Sequence, residues 1–128
     1  MAVRDPRPQL PWSKARCERR TAYARWMASD AWQDRRRRWA DTWVAVHGKP
    51  PTCAACGGLW SLDHGDLHHR SYQHLGSEPH GDLAALCRTC HRRLHLLIES
   101  TPSWRRLGRR RATDTAIAVL RRQHIQQP

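Results

Sequence analysis

A chain of 128 residues has the length of one domain, which would ordinarily bury about two thirds of the surface its unfolded form exposes. Only 39% of it is hydrophobic, phenylalanine is absent and 27% is charged, which excludes a large ordinary core and demands another source of cohesion. The 23 Lys and Arg against 11 Asp and Glu leave a net charge of +12, which repels itself unless a polyanion takes it up, so nucleic acid is the first partner to consider.

All the basic residues except Lys14 and Lys49 are arginine, whose planar fork of donors matches phosphate oxygens, although a GC-rich genome produces the same bias. Residues 1–13, with Pro6, Pro8 and Pro11 and no periodic apolar pattern, read as a disordered arm. They lack the apolar stretch of a signal peptide, and no run approaches the roughly 18 residues that span a bilayer. The expectation is a soluble, cytoplasmic protein with no membrane partner.

Residues 14–50 read as a helical lead-in. One helix covers Lys14 to Ala28; Ser29 or Asp30 caps a second, which runs to about His47 and is stopped by Gly48 and Pro50-Pro51. In it Trp32, Trp39, Trp43 and Val46 fall on one stripe, read as core, with Arg35 to Arg38 on the remaining circumference. Between Thr52 and Leu86 the chain breaks repeatedly at Gly57-Gly58, Gly65, Gly76, Pro79 and Gly81, which suits short strands and loops. A helix then starts near Arg88 and ends before Pro102, with His91 and His95 on one face. Residues 51–99 form a finger on this reading, and residues 100–128 a basic helical tail. In the tail Trp104 and Leu107 mark a short turn, Arg105, Arg106, Arg109, Arg110 and Arg111 make a basic patch, and Thr113 or Asp114 caps a last helix through Ile117, Val119 and Leu120. The fold class is small α+β.

Without an export signal the cysteines stay reduced, so they read as metal ligands before disulfides. Cys53-x2-Cys56 and Cys87-x2-Cys90 supply four thiolates that can close a tetrahedron around Zn²⁺. The stretch between the pairs is longer than in a compact zinc ribbon and must hold structure of its own. Structural zinc contributes of order 10 kcal/mol to the folding of a small module, which is the cohesion this composition lacks. Cys17 has no partner and reads as a lone thiol. Zinc saturated by four sulfurs does no chemistry, and the histidines supply the remaining reactive groups: His64, His68, His69, His74, His80, His91 and His95 all fall in the finger. His91 and His95 are spaced i, i+4 to grip one ion, and His68-His69 can add a third ligand and a neighbouring imidazole aimed elsewhere. That is a second metal site beside a base. His47 and His124 read as surface residues.

The stretch from Cys53 to His95, CAACGGLWSLDHGDLHHRSYQHLGSEPHGDLAALCRTCHRRLH, resembles the HNH endonucleases of ββα-metal fold, in the subgroup whose finger is knit by a four-cysteine zinc. The matching parts are His68-His69 with Tyr72, then Leu75-Gly76 and Glu78, Asp82-Leu83, Leu86-Cys87-Arg88-x-Cys90-His91, and His95; Tyr23 and the Ser29-x-x-Trp32 segment resemble the subgroup's helical lead-in. The likeness covers roughly residues 21–97 and leaves the last thirty or so outside it. It implies that His68 and His91 bind a catalytic divalent metal with His95 as a further ligand, and that His69 is the general base. The family's central Asn falls on Asp82, which either braces the loop or leans toward the metal. Asp63-His64 is a rival for the metal-and-base pair, but it lies close to Cys56 and lacks the following Tyr.

The implied activity is a metal-dependent DNA endonuclease that hydrolyses phosphodiesters to 5′-phosphate and 3′-hydroxyl ends. An imidazole takes a proton from water near neutral pH without large tuning, and a divalent ion takes up charge on the phosphoryl oxygens. The ion is Mg²⁺, Mn²⁺ or a similar metal; histidine ligands favour Mn²⁺, Ni²⁺ or Co²⁺ over Mg²⁺. Arg70, Arg92 and Arg93 are candidates to clamp the phosphate. With no second domain to read sequence, low intrinsic specificity is expected. A phage packaging terminase is one compatible protein partner, and the roles of packaging nuclease, restriction enzyme, mobile-element enzyme and toxin are not separated. The competing reading is a zinc-dependent nucleic-acid-binding module without catalysis.

Overall fold

Helix α1 spans Pro11–Met27 in the computed structural model, which describes residues 11–126 of the chain. The arm expected over residues 1–13 lies outside the described residues except at its end, where Pro11 already opens the helix, a position at which its missing N–H costs nothing. Helix α2 spans Asp30–His47. Its N-cap is Ser29, whose hydroxyl accepts from Trp32 N at 3.1 Å and donates to the Trp26 carbonyl at 2.6 Å, so one side chain both starts α2 and joins it to α1. Gly48, at φ 68°, takes the left-handed conformation and caps the Val44 carbonyl, ending the helix where expected.

Strand β1 (Gly65–His69) pairs antiparallel with β2 (Leu83–Cys87), and helix α3 (Arg88–Ser100) follows directly. The register sets Leu67 opposite Ala85, His68 opposite Ala84 and His69 opposite Leu83. Because side chains alternate along a strand, Leu67, His69, Leu83 and Ala85 share one face, and His68, Ala84 and Leu86 share the other. The first face packs on Trp32 and Trp39 of α2 and on Trp60 of the loop before β1, all at most 4% exposed. Tryptophan, seven times in the sequence, supplies the bulk that the missing phenylalanine would otherwise give. Val46, read as the end of the tryptophan stripe, is instead 71% exposed, since the helix runs past the edge of the sheet before reaching it. Gly65 lets Trp60 close under β1: a Cβ at this position would fall 2.2 Å from the indole nitrogen.

The second face packs on α3 and α4. Helix α4 spans Arg109–Gln126, starting well before a cap at Thr113 would allow, and follows a 3-10 turn at Pro102–Leu107. Thr113 caps nothing, being fully buried within the helix, while the carbonyl of Gly108 accepts from Ala112 N. Ala116, Ile117 and Leu120 of α4 join Leu86, Leu94, Cys53 and Cys90 in one buried cluster. The segment read as a basic tail therefore closes the core of the finger, and no break in packing falls at residue 100. No helix among the described residues is long and apolar enough to cross a membrane.

Candidate metal centre and adjoining cavity

Two groups of ligand atoms stand on the second face of the sheet and around its ends. The first consists of the Sγ atoms of Cys53, Cys56, Cys87 and Cys90, all within 4.8 Å of one another and none in a disulfide. Cys56 and Cys87 are 4.0 Å apart, close to the edge of about 3.8 Å that a tetrahedron with Zn–S bonds of about 2.3 Å requires. Backbone N–H groups of Gly58 and Cys90 point at Cys56 Sγ and Cys87 Sγ, each at 3.4 Å. Four cysteines so placed can hold a metal such as zinc. Cys17 lies exposed on α1, apart from them.

The second group is His68 of β1 with His91 and His95 of α3, whose ligand atoms also lie within 4.8 Å of one another. His68 Nδ1 is 3.3 Å from His91 Nε2, and His95 Nε2 is 3.1 Å from the same atom. With metal–nitrogen bonds of about 2.0–2.1 Å a tetrahedral site has edges of about 3.4 Å, so the spacing fits one ion. The outer nitrogens are also committed. His91 Nδ1 donates to Asp66 Oδ2 at 3.0 Å, which leaves its Nε2 bare, and His68 Nε2 lies 2.9 Å from the Thr113 hydroxyl. A cation at the centre would be satisfied by the inner lone pairs of all three imidazoles. Burial first, and then the charges of Arg109, His91 and His95, push His68 down to about 2, so it is neutral and ready to ligate throughout the physiological range. Burial likewise lowers His95.

His69, the next residue on β1, faces the opposite side. Its ring stacks on Trp32 at 4.9 Å and meets the edge of Tyr23 at 5.8 Å. Its Nε2 lies 2.6 Å from Glu78 Oε2, which also accepts from Trp26 Nε1 at 2.8 Å. The Glu78 carbonyl takes two bonds from Arg35, so α1 and α2 together hold this carboxylate in place. Burial lowers the His69 pKa, and the Glu78 bond and charge pull the other way without reversing the shift. The net result is an imidazole neutral at pH 7 whose Nε2–H is held by Glu78, leaving Nδ1 as the basic atom.

Both sides meet in one open cavity of about 500 Å³, whose walls include Tyr23, Trp32, His68, His69, Tyr72, His91, His95 and Arg109. His69 lines it while remaining only 1% exposed. The four cysteines and His68, His69, His91 and His95 are thus brought together as the sequence suggests. Asp82 is not among the groups that can hold an ion: it is buried, accepts from Arg110 through Oδ1, and its carbonyl takes Arg70 N at 2.7 Å, so it braces the loop leading into β2. Arg70 is no free clamp either, because its guanidinium is committed to both oxygens of Asp114 and to the Gly81 carbonyl. Arg92 and Arg93 are exposed on α3 and do not line the cavity. His64 is exposed, with Asp63 beside it on the rim, and neither joins the three imidazoles.

Four contributors had no place in the site on the sequence reading: Glu78, named within the motif but given no role, Asp66, Thr113, read as a helix cap, and Arg109, read as part of a basic patch. A signal existed for Asp66, which precedes His68 by two residues and so shares its strand edge. None existed for Thr113, forty-five residues from its partner. Comparison with known proteins returns no match, whether among family models, curated proteins or solved structures.

Proposed function

We propose that the protein is a metal-dependent DNA endonuclease of the HNH kind that its sequence resembles. The observation that carries this reading is the joint opening of two different constellations on one cavity: three imidazoles with converging lone pairs, and a fourth imidazole backed by a buried carboxylate. A binding module needs neither. A divalent ion held by His68, His91 and His95 would take up negative charge as the phosphodiester is attacked. His69 accepts a proton from water on Nδ1, and Glu78 stabilises the imidazolium through the Nε2–H bond. The attacked phosphate keeps the 5′ side, and the 3′-oxygen leaves as a hydroxyl. Zinc in the four-cysteine site is structural. DNA is the substrate that the charge of +12 favours.

The test uses supercoiled plasmid with Mn²⁺. Wild type should nick and then linearise it in an EDTA-sensitive manner, and His69→Ala should lower the rate by a factor of about 10² or more with fold, zinc content and DNA affinity intact. His64→Ala should cut like wild type. A dead His64→Ala beside an active His69→Ala would move the base, and a wild type inert with every divalent metal would leave only a nucleic-acid-binding module.

A further inference from the structure

Arg109 stands in the cavity wall with no carboxylate beside it. It is the first residue of α4 and half-buried, and it lines the cavity with the imidazoles. Its Nε donates to the backbone carbonyl of His69 at 2.7 Å, and its guanidinium carbon sits 4.0 Å above the ring of Tyr72. These two contacts fix the plane of the fork without neutralising it. The neighbouring arginines are spent differently: Arg70 pairs with Asp114, Arg110 with Asp82, and Arg36 reaches the carbonyls of Leu62 and Gly65. No ion pair of Arg109 occurs among the described residues, and the first turn of α4 carries no acid. A half-buried cation without a counter-ion is costly unless an anion completes it.

The geometry points to Arg109 as the residue that grips the substrate phosphate, its two terminal nitrogens taking non-bridging oxygens of a phosphodiester seated between Tyr72 and the three imidazoles. This rests on the nuclease reading and adds to it a group from α4, beyond the stretch that resembles a known family. Arg offers two parallel bonds to such an anion, whereas Lys offers a point charge. Tyr72 backs the fork and keeps it from swinging into solvent.

The rival role is a strut that pins α4 to the end of β1, and salt dependence separates the two. Affinity for a fluorescein-labelled duplex of about 16 base pairs is measured by anisotropy from about 50 to 300 mM KCl without added divalent metal, where each phosphate contact contributes about 0.9 to the slope of log K against log salt. Arg109→Met should reduce that slope by about 0.9 with an unchanged melting temperature; an unchanged slope overturns the proposal. Arg109→Lys should keep the slope yet lose about tenfold or more in kcat/KM on plasmid, because the charge remains and the fork does not. Should Arg109→Met fail to fold, Arg109→Lys decides, and wild-type cleavage by it overturns the assignment. A reduced slope in a protein that never cuts would sink the nuclease reading and leave the phosphate contact standing, while cleavage with an unchanged slope would do the reverse.

Discussion

His68 and His69 are neighbours in sequence and strangers in space, because a strand sends successive side chains to opposite faces. One imidazole therefore sits among ligands and the other among aromatic rings, and the same residue type acquires two environments from one dipeptide. Outer contacts specialise them further. The Thr113 hydroxyl lies 2.9 Å from His68 Nε2 and, accepting there, would hold the ring with Nδ1 inward. Thr113→Val, which keeps the shape and removes the acceptor, should weaken binding of Co²⁺ or Mn²⁺ to the three-imidazole site by about tenfold, while Thr113→Ser should bind as wild type. Isothermal titration of protein with its zinc in place reads both, and equal affinity of the Val variant would show that the hydroxyl only fills space.

At the scale of elements, the finger and its flanks were legible to different degrees. Paired Cys-x2-Cys steps, the cap at Ser29 and the i, i+4 histidines of α3 are local patterns, and each depends on a few adjacent residues whose spacing encodes the geometry. The fates of Arg35, Arg36 and Arg70 were not legible, because a guanidinium looks the same in sequence whether it meets solvent, phosphate or a distant carbonyl. Arg35 and Arg36 reach loop carbonyls and Arg70 pairs with Asp114 at the surface. The last helix was legible through Ile117, Val119 and Leu120 but its packing was not: Ala112, Ala116, Ile117 and Leu120 form a thin apolar stripe in a polar sequence, and only the facing cluster of Leu86 and Leu94 shows what it covers. Leu120→Ala should accordingly cost about 2–4 kcal/mol in urea unfolding, the range for a buried leucine in a core. A loss below about 0.5 kcal/mol, as at an ordinary surface position, would make α4 an appendage.

Across the whole molecule, two small clusters flank a two-stranded sheet, and neither has the size to hold a domain unaided. The four cysteines stand at the centre of one of them, so metal and apolar burial act on the same residues. Purified protein should carry about one tightly held zinc per chain, and Cys53→Ser or Cys90→Ser should abolish cooperative unfolding, since metal binding supplies folding free energy in modules of this size. Elemental analysis of folded protein without zinc would contradict this.

The cavity draws its walls from both flanks of the finger: Tyr23 and Trp32 come from the first two helices, and Thr113 reaches His68 from the last. Since a ribosome delivers the chain from its N-terminus, His69 and Glu78 are present well before α4 can seat behind His68. A nascent or prematurely ended chain that stops short of α4 thus holds the imidazoles without Thr113 and Arg109, the residues through which that helix meets them.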